Sequence, residues 1–188
     1  GIPGAGGGKC PACKLRNAGL REYERQRASA AAADYAYARA LETIRAGVRE
    51  RDVADVIEAA MRSRGADKTF LMMWSGRFSP TGNEMPFFYP ARNARRVLTD
   101  GDCIAFEITA ACDGYWTQLV RTVGIGAIDP AVLHLHEATL TSVAAGESVL
   151  RAGAAVSDVA ANIEKADGDM DLRSVRSMGH LCGTDLTE

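Results

Sequence analysis

The sequence predicts an α+β domain made of two related halves, each pairing two helices with strands about a pseudo-twofold axis. Three observations carry this prediction. A segment near the start recurs near the end without a gap. Between the copies lies a stretch with the alternation and turn of a β-hairpin. Much of the remainder reads as long helices rich in Ala, Arg and Glu.

The repeat runs from Ile44 to Glu58 and again from Leu150 to Glu164. Arg45/Arg151, Gly47/Gly153, Asp52/Asp158, Val53/Val159, Ala54/Ala160, Ile57/Ile163 and Glu58/Glu164 are identical pairs. Glycine ends one helix, aspartate starts the next as N-cap or first-turn acid, and Val-Ala-x-x-Ile supplies its inner face. Any helix–turn–helix shares some of this pattern; identity at this density favours a duplicated half-domain.

Residues 1–13 read as a flexible, Gly-rich lead-in, and residues 14–188 as the domain. A long helix is expected over about Leu15 to Ala46, stopping at Gly47. A second follows from about Asp52 to Arg64, closed by Gly65. Phe70 to Trp74 is a short apolar strand. Ser75 to Arg96 is loop-rich, with Pro80, Pro86 and Pro90 and an aromatic cluster at Phe87, Phe88 and Tyr89. After the hairpin come helices from about Pro130 to Leu150 and from Val156 to about Lys165.

The chain of 188 residues is long enough for one domain with a substantial core. Its net charge of −2 gives no pull toward nucleic acid or anionic membrane. The longest apolar run is too short to cross a bilayer, and residues 1–9 lack the apolar stretch of a signal peptide. Five cysteines at irregular spacing argue for a reducing cytoplasm over a disulfide framework. Cys10 and Cys13 form a lone CxxC, read as a linker or helix lead-in in preference to half a zinc site. Gly4 to Lys9 only faintly resembles a phosphate loop: Pro3 and Cys10 stand where glycine and Ser/Thr are required.

Residues Gly101 to Thr122 form the hairpin. Cys103, Ala105, Glu107 and Thr109 fall on one face, and Ile104, Phe106 and Ile108 on the other. A two-residue loop at Cys112-Asp113 sets Glu107 opposite Gln118. A loop at Asp113-Gly114 moves the register by two and keeps both side chains on one face. Glu107 is thus a carboxylate on an otherwise apolar strand, costly to bury unless it has a partner or a task.

The duplicated unit, the Gly101-Asp102 strand start, the hairpin return Gly114-Tyr-Trp-Thr-Gln-Leu-Val-Arg-Thr122 and Gly179-His-Leu-Cys-Gly183 together resemble the pita-bread fold family. That family contains methionine aminopeptidases, Xaa-Pro peptidases and creatinase. The resemblance runs from about Lys14 to the end. It implies that the metallopeptidases' two bridging aspartates fall on Glu107 and Gln118, and their histidine ligand on His180. A further family histidine falls on Thr187, and two ligand glutamates would lie beyond Glu188, so the domain is expected to be incomplete at its C-terminal end. A neutral amide cannot supply the charge of a di-cation site. The hairpin is most similar to creatinase, the metal-independent branch. Creatinase's catalytic histidine precedes the proline matching Pro90, where Phe87, Phe88 and Tyr89 stand here.

These readings make His180, Glu107 and Gln118 the catalytic candidates. His180 would move the proton, Glu107 would bind or polarise the substrate, and Gln118 would position it. The structural alternatives are a histidine bonded to a carbonyl, a carboxylate paired with arginine and a satisfied core amide. Trp116, Tyr89 and Tyr115 are the substrate-binding candidates, although alternation places only Trp116 on Gln118's face. Arg121 reads as structural. His134 and His136, two apart on a helix, do not share a face. Cys103, Cys112 and Cys182 lack an activating basic neighbour in the sequence.

The expected function is metal-independent hydrolysis, or elimination, at a C–N bond of a small molecule, with no metal and no cofactor. Alternatives are a metal-dependent Xaa-Pro-type aminopeptidase with a degenerate site and a non-catalytic module binding peptide or protein. The expected partners are a small molecule or short peptide, without nucleic acid or membrane. The resemblance also implies a homodimer.

Overall fold

The computed structural model describes residues 20–78, 95–170 and 184. The lead-in, most of the loop after the first strand and the Gly179–Gly183 motif lie outside the described residues. The elements in order are α1 (Leu20–Thr43), α2 (Glu50–Ser63), β1 (Lys68–Gly76), β2 (Cys103–Cys112), β3 (Tyr115–Gly124), α3 (Pro130–Val149) and α4 (Val156–Asp169). The strands form one antiparallel sheet in the order β1-β2-β3.

The repeat is a structural one. Gly47 and Gly153 take nearly the same left-handed φ, 89° and 88°, with open space where a side chain would start. The following helices begin behind Arg49 and Ala155, whose extended backbones match at φ −83°, ψ 145° and φ −76°, ψ 139°. Helix ends keep the spacing of the repeat: Thr43 and Val149, then Ser63 and Asp169. Asp52 and Asp158 are first-turn acids, so the N-cap alternative is not the one adopted; a carboxylate there opposes the positive end of the helix dipole.

The core forms where α1 and α2 meet the sheet. Small residues on α1, Ala32, Ala36 and Ala40, are fully buried and let the helices approach closely. α2 contributes Val53, Ile57 and Met61, and the sheet contributes Leu71, Met73, Ile104, Phe106 and Ile108. Tyr37 meets Phe106 edge-on, with ring centroids 6.0 Å apart. Polar contacts fix α1 on β3. The Gln26 amide donates to the Trp116 carbonyl at 2.7 Å, and the Ser29 and Thr117 hydroxyls bond at 2.6 Å.

The segment before β2 ties the α1–α2 turn to the sheet. Glu50 N donates to the Arg96 carbonyl, and Leu98 N to Val48. Beside these bonds runs a polar chain, buried at Glu50, Ser75 and Asp102 and exposed at Arg96. Arg96 Nε donates to the Ser75 hydroxyl at 2.7 Å, Ser75 donates to Glu50 Oε1, and Arg96 Nη2 donates to Asp102 Oδ2 at 2.9 Å. The Thr99 amide and hydroxyl also donate to Asp102 Oδ2. Glu50 is fully buried. Burial pushes its carboxyl above the usual range, against the Ser75 hydrogen bond and the Arg96 charge that pull it down.

After β3 the chain turns at Gly126, with φ 68° and its α-carbon pressed against the Asp100 carboxylate, where no side chain fits. α3 then starts behind Asp129, whose side chain accepts from Ala131 N at 2.8 Å. α3 and α4 pack on each other through Ala138, Ser142 and Gly146; a side chain at Gly146 would crowd Ile163. Asp167 is buried in this seam and accepts from the Ser142 hydroxyl. Among the described residues, no helix is long and apolar enough to cross a membrane.

Candidate functional site

The hairpin turns at Asp113-Gly114, with φ 50° and 81°. Two left-handed residues in succession match the strands' right-handed twist, which explains the Asp-Gly pair. The resulting register sets Glu107 opposite Val120 and Gln118 opposite Thr109. The Cys112-Asp113 loop is therefore not used, and the two candidates stand diagonally. They still share a face, and the Gln118 amide Nε2 donates to Glu107 Oε1 at 2.9 Å. Glu107, half-buried on β2, thus has its partner on the next strand.

The sheet's two faces have different neighbours. Phe106, Ile108 and Ala110 share one face with Leu71 and Met73 and join the core. The other face carries Phe70, Met72 and Trp74 of β1, Ala105, Glu107 and Thr109 of β2, and Trp116 and Gln118 of β3. Thr109 is fully buried there, and its hydroxyl has no hydrogen-bond partner among the described residues.

The structure therefore brings together Glu107, Gln118 and, on the same face, Trp116. Tyr115 is not among them. It pairs with Cys112 on the α1 side, its hydroxyl donates to Glu22 Oε1 at 3.0 Å, and the Arg25 guanidinium lies 5.8 Å from its ring centre. Burial and the bond to Glu22 raise its phenol above the ordinary range. Tyr115 thus stitches α1 to the hairpin, on the face opposite Gln118. His180 and Tyr89 lie outside the described residues. Arg121 falls opposite Phe106, away from Gln118, and its Nη1 donates to the Val120 carbonyl. His134 and His136 are exposed on α3. Cys103 and Cys112 are free and buried. Burial first, and then the charge of Asp102 for one and of Asp67 for the other, raises their thiols, so thiolate is disfavoured.

Thr109 and the Glu50 chain were not singled out from the sequence. Thr109 carried a weak signal, a hydroxyl on the same strand face as Glu107. Glu50 carried another: the repeat aligns this carboxylate with Val156.

A dinuclear metal centre needs several anionic oxygen donors. The pair here offers one carboxylate and one amide whose nitrogen is committed to that carboxylate. Among the described residues no three His, Cys, Asp or Glu side chains converge as a metal-binding group. The described donor set does not fit paired cations.

Residues 24–188 match the model of Metallopeptidase family M24. An uncharacterized hydrolase/peptidase of Sinorhizobium fredii is 31% identical over 182 residues, covering 89% of this chain and 42% of the relative. Methionine aminopeptidase 1 of Mycobacterium tuberculosis is 30% identical over 159 residues, covering 81% and 59%. Among solved structures, a prolidase from Pyrococcus furiosus superposes with a TM-score of 0.77 at 24% identity, over 93% of this chain and 51% of its own. A dipeptidase from Mycobacterium ulcerans gives 0.79 at 25%, over 93% and 47%. The chain spans about half the length of the curated relatives it matches. The shared architecture is the pita-bread fold, present here in part, and the chain belongs to Metallopeptidase family M24.

Proposed function

We propose that this chain carries the site of a metal-independent, creatinase-like hydrolase (or lyase) acting on a C–N bond of a small molecule. One observation carries the reading: where the metallopeptidases place a second acid, Gln118 presents an amide that donates to Glu107. That hydrogen bond fixes the carboxylate's orientation and leaves one negative charge for a substrate. In hydrolysis, water oxygen bonds to the substrate carbon as His180 takes the water's proton; the C–N bond then breaks and His180 returns that proton to the leaving nitrogen. Glu107 binds or polarises the substrate, Gln118 holds Glu107, and Trp116 walls the same face. Tyr89 is retained as a rim residue from the aromatic cluster of Phe87, Phe88 and Tyr89. The partners we propose are a small molecule or short peptide and a second copy of the chain; the cytoplasmic placement rests on cysteine usage alone.

A second reading, a metal-dependent Xaa-Pro-type peptidase, is favoured by the likeness to a prolidase and a dipeptidase. Metal content separates the two. Purified protein is expected to hold far less than one equivalent of Mn, Co, Fe or Zn and to keep its turnover of small amides after chelation. Stoichiometric metal that disappears in Glu107→Gln would establish the second reading instead. His180→Ala is expected to abolish turnover while the circular dichroism spectrum stays native; undiminished turnover would remove His180 from the mechanism.

A further inference from the structure

Glu107 sits at the centre of its face of the sheet, and the side chains beside it are apolar. Met72 stands directly opposite it on β1 and Val120 on β3. Trp74, opposite Ala105, is its diagonal neighbour, about 7–8 Å away between α-carbons and within reach of an aromatic side chain. Glu107, Met72 and Trp74 stay partly open to solvent, and Val120 is half-exposed. Lys68 is the other charge on this face among the described residues. It is exposed opposite Ala111, roughly 13 Å along the strands from Glu107. Gly76 sets the indole. A side chain at Gly76 would come within 3.0 Å of the Trp74 ring. The ring therefore lies back along β1 over Gly76, on the side away from Glu107, and leaves the carboxylate uncapped.

We propose that Glu107 and Trp74 together bind an alkylated ammonium group of the substrate, and that Trp74 is the residue that selects it. This rests on the C–N hydrolase reading and names its substrate class. Gln118 donates to Glu107 Oε1 and brings no compensating charge. A cation seated here is attracted by the carboxylate and by the indole face, the most favourable aromatic face for a cation. Its substituents decide which cation fits. A primary ammonium carries three N–H donors. Met72 and Val120 offer them no good acceptor, so stripping their water leaves donors unmatched. Methyl groups on the nitrogen need no acceptor and pack on the thioether, the valine and the ring. A neutral molecule of the same shape makes the apolar contacts and forfeits both electrostatic ones.

Choline, ethanolamine and 3,3-dimethylbutan-1-ol test this as a trimethylated ammonium, its N–H counterpart and its uncharged isostere. Titrated calorimetrically into the purified protein, choline is expected to bind at least about tenfold more tightly than either of the others. Trp74→Leu should weaken choline about tenfold and leave 3,3-dimethylbutan-1-ol within about twofold. Trp74→Phe keeps a ring and should hold choline within about threefold of wild type. If Trp74→Phe falls as far as Trp74→Leu, Trp74 acts through packing of the sheet and the proposal is overturned. Failure of choline to bind wild type, equal binding of choline and either other probe, or choline binding to Trp74→Leu within about twofold of wild type overturns it as well. The underlying reading is judged separately, by turnover of small amides in Glu107→Gln. Lost turnover there leaves the C–N reading standing even if choline fails, whereas undiminished turnover removes Glu107 and that reading with it.

Discussion

Helices α1 and α2 lie against a three-stranded sheet, while α3 and α4, the same sequence unit repeated, pack on each other without comparable strand contact among the described residues. Their turns and caps agree closely, but their burial does not. Tyr37 packs on Phe106, whereas its counterpart Val143 is 50% exposed. Glu50 is fully buried beneath the segment before β2, whereas its counterpart Val156 is 78% exposed. The seam residues Ala36 and Met61 become Ser142 and Asp167. Backbone geometry in this unit is thus encoded locally, by glycine and first-turn acid, while burial comes from what the rest of the molecule lays against it.

The comparison breaks most readily at its apolar contacts. Phe106→Ala is expected to cost about 3–5 kcal/mol, through lost contact and a cavity under α1. Leu133→Ala on the outer side of α3 should stay within about 0.5 kcal/mol. Urea unfolding measures both. Equal losses would mean that the outer side of α3 is covered in solution, and the contrast between the halves would be lost.

What was legible in the sequence follows the same division. The repeat located both helix–turn–helix units because Gly47 and Gly153 set their turns within a few residues. Glu107 and Gln118 could be placed on one face because both candidate loops had an even length, and pleating does the rest. The turn chemistry was legible too: Asp113-Gly114 is the pair that tolerates the left-handed backbone of a two-residue hairpin loop, and the structure turns there. Tyr115 was placed with the substrate candidates because its partner Glu22 lies on a helix far back in the chain. The Glu50 chain was hidden for a similar reason: Glu50, Ser75, Arg96 and Asp102 meet only after the turn, β1 and the start of β2 assemble.

The polar seam of the second half gives a smaller effect. Ser142→Ala removes the donor to Asp167 and is expected to cost about 1–3 kcal/mol. Adding Asp167→Met transplants the first half's Ala36/Met61 chemistry and should recover most of that loss. A double variant as unstable as the single one would show that the two seams are not interchangeable in shape, confining the equivalence of the halves to their turns.

Glu50→Gln tests the least visible difference, and there the sign matters more than the size. Ser75, Arg96 and Asp102 face Glu50, and burial outweighs the first two in raising its carboxyl above the ordinary range. A raised carboxyl means that the folded protein holds the proton more tightly than the unfolded chain. Its contribution is complete below the unfolded value and is lost as pH rises through the folded one. Glu50→Gln keeps an oxygen for the Ser75 hydroxyl and cannot ionise. It should therefore be more stable than wild type at pH 7, with the advantage shrinking as pH falls into the ordinary carboxylate range. Val156→Glu, at the exposed counterpart, should leave the pH profile of stability unchanged. Thermal melts across that range decide the matter: a Glu50→Gln profile parallel to wild type would mean that Glu50 titrates normally, and that the Arg96 charge compensates its burial fully.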